Sequence, residues 1–259
     1  MLGGQNTEVN GYPWMAMLAW KAGLSQFCGG AVLNSKWVAT AAHCVSTSGA
    51  TPATYVGLST QYRLSPDLNI SFQLVAASSM WVVLGEHTHS TSGETNLTMR
   101  YAVDKIKIHK NKKGKPSQVD IALLRVRGRI DINVYTPLCL PPSDYNVRGD
   151  NITLTGWGLL NCPSPLSNPY CSGGVAATTL QEIMLPVVAH QTCRQLIGTY
   201  GNGKVFCWGG DLGQSGCFGD SGSPLIYSEP GSGQYRLVGS VQGGTGPGCG
   251  AAGTYGLAW

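Results

Sequence analysis

An all-β fold in one compact unit is what this chain predicts, and three observations carry the prediction. Glycine supplies 36 of 259 residues, about twice average usage. Charged residues supply only 12%, about half the average. Short apolar or alternating stretches recur along the whole chain, separated by clusters of Gly, Pro, Asn and Ser, the pattern of a sandwich or barrel. A chain of this length can bury a large core as one β-rich domain or two small ones. Neither a solenoid-period repeat nor a hinge-like linker divides it.

Strands are expected at residues 26–32, 37–40, 81–86, 103–109, 122–127, 182–188, 223–227 and 234–241. In Lys105-Ile106-Lys107-Ile108 the period of two turns isoleucine inward and lysine outward. Only His190–Ile197 reads as a helix, and it is short. Residues 46–80 read as a long loop with a Ser/Thr/Ala-rich start, of a length that is usually functional or disordered. Residues 161–174 carry Pro163, Pro165 and Pro169 between Cys162 and Cys171, a pair expected to bridge locally and stiffen an exposed loop.

The net charge of +4 points to neither nucleic acid nor a membrane surface as a partner. No run of eighteen apolar residues exists, so no segment reads as a membrane span. Nine cysteines in a weakly charged chain point to an oxidising, extracytoplasmic compartment. Met1-Leu2-Gly3-Gly4 has neither the basic start nor the apolar stretch of a signal peptide, so either an export signal was removed or the numbering starts at a processing point. Acceptor triplets for N-linked sugar occur at Asn69, Asn96 and Asn151, close to the roughly two expected by chance.

The chemistry is concentrated in Gly219-Asp220-Ser221-Gly222-Ser223-Pro224. Glycines on both sides of a serine let backbone approach a substrate closely. A serine hydroxyl is inert until a base takes its proton, so the motif asks for a histidine. Thr40-Ala41-Ala42-His43-Cys44 supplies one, and Val119-Asp120-Ile121-Ala122 supplies an aspartate to orient it. The chain order His43, Asp120, Ser221 is one of the known orders for such a triad. Ser221 would attack a carbonyl, His43 take its proton, and Asp120 stabilise the imidazolium. The backbone N–H groups of Gly219 and Ser221 are the natural oxyanion donors, each worth about 3 kcal/mol. Each residue also has an ordinary reading, as turn serine, core histidine or capping aspartate; it is the three motifs together that point to catalysis.

With Tyr12-Pro13-Trp14, Phe27-Cys28-Gly29-Gly30, Val82-Val83-Leu84-Gly85-Glu86-His87 and Thr155-Gly156-Trp157-Gly158, these motifs resemble the chymotrypsin/trypsin family of serine peptidases over nearly the whole chain. Met1-Leu2-Gly3-Gly4 stands where the family has Ile-Val-Gly-Gly at its activated N-terminus. The resemblance implies two six-stranded antiparallel β-barrels, roughly residues 13–127 and 128–259, with the triad in the cleft between them. The family's closing C-terminal helix has no counterpart before Trp259. The resemblance also implies the bridges Cys28–Cys44, Cys193–Cys207 and Cys217–Cys249, whereas Cys162–Cys171 has no general family counterpart. Cys139 is left over, and in two-chain members a cysteine there tethers a pro-segment; the alternative is a free thiol.

Activation by a zymogen route is implied through the Met1 amine, which would bury itself against Asp220 and order the oxyanion hole. The floor of the primary pocket falls at Ser215 and its walls near Gly244 and Gly253, an open, uncharged slot. That implies chymotrypsin-like cleavage after Phe, Tyr, Leu or Met, with an elastase-like preference second because residues 245–250 could fold into the slot. Phe218 would add apolar surface at the mouth. Further departures from the family are Gln242 and Gly243, which stand where it has Ser-Trp, and Ser223, which replaces a glycine.

Weaker signals complete the reading. Glu86 and Glu94 resemble a calcium loop with one acid missing, and an ordinary polar loop is preferred. His87 and His89 lack further zinc ligands nearby. No metal or other cofactor is expected. The lysine-rich residues 105–115 read as a solvated face or an exosite for acidic substrates or sulphated glycans. Protein or peptide substrates and protein inhibitors are the implied partners. A secreted serine endopeptidase is the leading reading, and a non-catalytic homologue that binds partners is the alternative.

Overall fold

The computed structural model describes residues 1–47, 73–89, 94–109, 119–142, 145, 147, 150–163, 167–168, 170–197, 205–246, 248–251, 253 and 255–258. Most of the long loop at 46–80, Asn69, Pro165, Pro169, the lysines from Lys110 to Lys115 and Trp259 lie outside them. The first half contributes β1 (Gln5–Asn6), β2 (Met15–Trp20), β3 (Gln26–Asn34), β4 (Trp37–Thr40), β5 (Ser46–Thr47), β6 (Gln73–Leu74), β7 (Met80–Leu84), β8 (Met99–Ile108) and β9 (Ala122–Val126). The second contributes β10 (Asn151–Gly156), β11 (Gln181–Pro186), helix α1 (His190–Ile197), β12 (Phe206–Gly209), β13 (Pro224–Ser228), β14 (Tyr235–Gly244) and β15 (Tyr255–Ala258).

The first barrel closes in the order β2-β3-β4-β9-β8-β7, all antiparallel. Ala16, Leu18, Val32, Val38, Leu84 and Leu124 fill it. Strand β8 follows its alternation: Lys105 and Lys107 are exposed, while Ile106 and Ile108 pack against the core. Strand β2 has no alternation because both of its faces are covered. Ala16 and Leu18 point into the barrel, and Met15, Met17 and Ala19 join Val83, Trp157 and Leu180 in a second cluster. That cluster links the two halves, and the Trp157 indole donates to His87 O at 3.0 Å.

The remaining long strands form a seven-stranded sheet in the order β1-β11-β10-β13-β14-β15-β12. A bridge between Val187 and Trp208 joins β12 back to the end of β11, so six of these strands wrap around a second core. Ile152, Leu154, Leu185, Trp208 and Leu225 occupy it, and β1 is an added edge strand on β11. The mostly β, trypsin-like double-barrel architecture expected from the sequence is therefore present.

Candidate active site

His43 lies on a 3-10 turn, Ala42–Val45, directly after β4, and Asp120 lies two residues before β9. Strands β4 and β9 pair, with Thr40 opposite Ala122, so the fold brings the two side chains together across 77 residues. Asp120 Oδ2 is 2.6 Å from His43 Nδ1, and Oδ1 accepts the His43 backbone N–H at 2.8 Å. This double hold fixes the ring and leaves Nε2 on the far side from the carboxylate. Burial pulls the His43 pKa down, but the charge of Asp120 and its hydrogen bond outweigh burial and hold it above the ordinary histidine value.

Ser221 reaches the same cleft through backbone contacts. Its carbonyl accepts from Gly29 N at 2.8 Å, and the next residue, Gly222, packs on the end of β4. A Cβ on Gly222 would lie 2.2 Å from Thr40 Oγ1, and its φ of +75° is a second reason for glycine there. Ser221 Oγ and His43 Nε2 are not hydrogen-bonded here; Cys44 Sγ lies 3.9 Å from Nε2. In apo sites such bonds are often loose and tighten in the substrate complex.

Within residues 219–223 the N–H groups of Asp220, Gly222 and Ser223 donate to Cys217 O, Val241 O and Asp220 O. Those of Gly219 and Ser221 have no acceptor among the described residues. Phe218 O accepts from Leu159 N at 2.9 Å, which orients the peptide carrying the Gly219 N–H. Gly219 O accepts from Gln26 Nε2 at 2.8 Å. The loop is thus held on both sides of its two free donors.

Asp220 is fully buried beneath that loop and pairs with the Met1 ammonium at 2.9 Å, itself fully buried. The carboxylate also accepts from Gly158 N at 2.8 Å and Cys217 N at 2.9 Å, and the ammonium donates to Leu159 O. Gly156 and Gly158 make the space: a Cβ on either would lie 2.2 Å and 2.5 Å from atoms of that carboxylate. The next residue, Leu2, exchanges two backbone hydrogen bonds with Ser215, at 2.8 and 3.2 Å. One short segment therefore touches both Asp220, in the loop of Gly219 and Ser221, and Ser215.

Ser215 is buried, and its hydroxyl has no hydrogen-bond partner among the described residues. Gly244 ends β14 opposite Gly256 of β15, and Gly253 takes φ +72° with open space where a Cβ would be. Gly243 is exposed with nothing within 4 Å of an added Cβ, and Gln242 beside it is half-buried. Phe218 packs with Leu2 and Leu159 against four half-cystines.

Four disulfides form: Cys28–Cys44, Cys162–Cys171, Cys193–Cys207 and Cys217–Cys249. The Cys162–Cys171 bridge closes a loop whose described residues Pro163, Ser167 and Tyr170 are exposed, as the sequence suggested, while the bridge itself turns inward. Both cysteines are buried, and Cys171 Sγ lies 3.7 Å from Cys249 Sγ. The local bridge seats itself on the other because the sulfurs are apolar enough to prefer that contact to water. Cys139 is free and exposed, on a segment that runs beside Arg236.

Two clusters have metal-like spacing, Cys28–His43–Cys44 and Cys171–Cys217–Cys249, but their sulfurs are all in disulfides and are not thiolate ligands. At the calcium-like loop, Glu94 is engaged by His87 Nδ1 at 3.0 Å and by the Thr88 N–H and hydroxyl at 2.6 and 2.8 Å. The other His87 nitrogen lies 3.0 Å from Thr7 O. The ring therefore lies between two oxygen atoms of the protein, and Glu94 is engaged by side-chain and backbone groups of its own loop. Burial holds the neighbouring Glu86 carboxyl above its ordinary value.

Gln26, Gly156 and Gly158 escape the sequence reading as site residues; the only sequence signal was the recurrence of glycine around Trp157. An imidazole held by a carboxylate, and two N–H groups without acceptors among the described residues, are groups of the kind that acyl transfer uses.

A family model described as Trypsin matches residues 1–259. The chain is 30% identical to phenoloxidase-activating factor 3 of Holotrichia diomphalia, over 93% of this chain and 64% of that protein. It is 30% identical to chymotrypsin-like elastase family member 1 of Felis catus, over 87% of this chain and 72% of that protein. It is 27% identical to serine protease filzig of Drosophila melanogaster, over 93% of this chain but only 13% of that much longer protein. Among the described residues no helix is long and apolar enough to cross a membrane.

Proposed function

The chain belongs to the trypsin family of serine proteases, and from that premise we propose that it is an active endopeptidase working through an acyl-enzyme. One observation carries the reading. Gly219 and Ser221, flanking a buried Asp220, keep unpaired N–H groups beside the His43–Asp120 pair. On this reading Ser221 Oγ attacks the scissile carbonyl as its proton passes to His43 Nε2, and the two N–H groups receive the oxyanion. His43 then protonates the leaving amine, and a water deprotonated by the same ring releases the acyl group from Ser221.

The Met1 amine is read as the activating group, since the Asp220 pair braces the loop that holds the donors. A chymotrypsin-like preference for large apolar or aromatic side chains is proposed from uncharged Ser215 and the open space at Gly253. An elastase-like preference is second. Secretion is proposed on the four disulfides, and Cys139 is the thiol through which a pro-segment would be tethered. Asn96 and Asn151 are exposed, as a sugar acceptor must be.

A non-catalytic homologue is the second reading, favoured by the missing Ser221–His43 hydrogen bond and by Gln242-Gly243. A fluorophosphonate separates the two. Labelling of Ser221, lost in Ser221→Ala, is expected; no labelling of protein with a free Met1 amine would favour the homologue. The specificity reading fails if Arg-containing substrates are cleaved faster than Phe-containing ones.

A further inference from the structure

Cations are distributed very unevenly along this chain. Residues 100–129 hold 10 of its 17 Lys and Arg but only 2 of its 13 Asp and Glu, a net of +8. The remainder, with 7 cations and 11 anions, carries −4. Six of these ten cations are among the described residues, on or just beyond β8 and β9 of the first barrel. Lys105, Lys107 and His109 alternate along the end of β8 and are exposed, as are Lys36, Arg127 and Arg129. Across β9, Lys105 faces Arg125 and Lys107 faces Leu123; on β4, Trp37 faces Arg125. Asp104, the carboxylate on this face, is bound by Arg125 at 2.8 and 3.2 Å. Its pKa is held low by that hydrogen bond and further by the nearby charges of Arg127 and Lys36. Arg125 therefore answers the Asp104 charge, and Lys105, Lys107 and Arg127 have no ion-pair partner among the described residues.

Charge alone would describe a solvated face, but this one also carries apolar relief. A pocket of about 290 Å³ opens beside Lys107 and His109, lined by Ile108, Val119, Ile121 and Leu123. The Lys107 ammonium lies 5.0 Å from the centre of the Trp37 ring, so cation and aromatic surface are interleaved. Lys105 and Lys107, two residues apart on one strand face, are spaced at about 7 Å, the repeat of alternate side chains in any extended peptide. A polysaccharide sulphate would use the cations and leave the pocket without a matching group.

We propose that this face docks an extended acidic segment of a protein partner, with carboxylates on Lys105, Lys107 and Arg127 and one aliphatic or aromatic side chain in the Ile108–Leu123 pocket. Val119 and Ile121 flank Asp120, so the docked segment lies immediately behind the His43–Asp120 pair. The binding does not require Ser221 to be catalytically competent, and its failure and that of the enzyme reading are separable.

The test uses the whole chain carrying Ser221→Ala, so that no probe is cut, and fluorescence anisotropy with labelled peptides. One peptide alternates Glu and Asp around a central Phe; the second has Ser in place of Phe; a heparin oligosaccharide is the competitor. The Phe peptide is expected to bind about tenfold or more tighter than the Ser peptide, the effect of burying one such side chain. Lys105→Glu with Lys107→Glu, both at exposed positions, is expected to weaken it by a further large factor. In a chain with Ser221 intact the same pair is expected to leave fluorophosphonate labelling unchanged. Equal binding of the two peptides, with heparin displacing both, would overturn the proposal in favour of a purely electrostatic surface. Undiminished binding by the double-lysine variant would overturn it as well.

Discussion

Replacing Asp220 by asparagine changes one heavy atom and removes the counter-charge that pairs with a fully buried ammonium. The carboxylate makes three contacts, to Met1 N at 2.9 Å, Gly158 N at 2.8 Å and Cys217 N at 2.9 Å. An amide keeps one oxygen for one N–H, and its NH2 then meets the remaining donors head-on. Leaving a buried charge without its partner costs about 3–5 kcal/mol. If the ammonium withdraws instead, the burial of the Met1 side chain is lost, about 1.5–3 kcal/mol. At about 1.4 kcal/mol per tenfold, the larger cost lowers the ordered fraction of the loop by up to two to four decades. The assay is the rate of fluorophosphonate labelling of Ser221, with thermal unfolding in parallel. Labelling is expected to collapse while the first barrel, whose core contains no atom of Met1, still melts cooperatively. A variant that labels as fast as its parent would refute the coupling between Asp220 and the oxyanion loop.

The pH profile supplies the next expectation. Asp120 holds His43 above the ordinary histidine value of about 6.5, so activity, which needs the neutral ring, is lost as pH falls through that raised value. In Asp120→Asn the acidic limb is expected to move to lower pH and turnover to fall about 10⁴-fold; an unmoved limb would assign the shift elsewhere. Linkage gives the stability side: protonated His43 stabilises the fold fully below about pH 6.5, and this is lost as pH rises through the raised value. Gly158→Ala puts a Cβ 2.5 Å from the Asp220 carboxylate and is expected to cost about 1–3 kcal/mol by urea titration, together with labelling. Ser223→Ala removes a buried hydroxyl that has no partner, and is expected to be neutral or stabilising by about 1 kcal/mol; a clear loss in the same titration would mean the hydroxyl is satisfied.

Elements with a visible period were legible in the sequence. Helix α1 and strand β4 have the bounds read from the residues, and β8, β9, β11, β13 and β14 differ only at their ends. Strand β2 was not legible, because Met15–Trp20 is covered on both faces and shows no alternation. Strands β12 and β15 have four residues each, too few for a pattern to emerge. At the site, the motifs around His43, Asp120 and Ser221 could be read because each carries its chemistry locally. Gln26 could not: its contact with Gly219 spans 193 residues, and nothing near it in the chain marks a side chain that holds a distant carbonyl. Gly158 is similar, since its lack of a side chain matters only once Asp220 arrives from 62 residues away.

The seating of one disulfide on another has a mechanical consequence. The bridges span 9 and 32 residues, one closing a short proline-bearing loop and the other joining Cys217 to Cys249. Where their sulfurs meet, displacement of the short loop has no soft layer to dissipate in, because packed interiors transmit strain. Cys171 sits at φ +50°, a conformation its neighbours must enforce, so the lever has a stiff fulcrum. Edits to the loop's length would then be felt at Cys217, two residues after Ser215. If Ser215 is the pocket floor as proposed, selectivity becomes adjustable from outside the pocket.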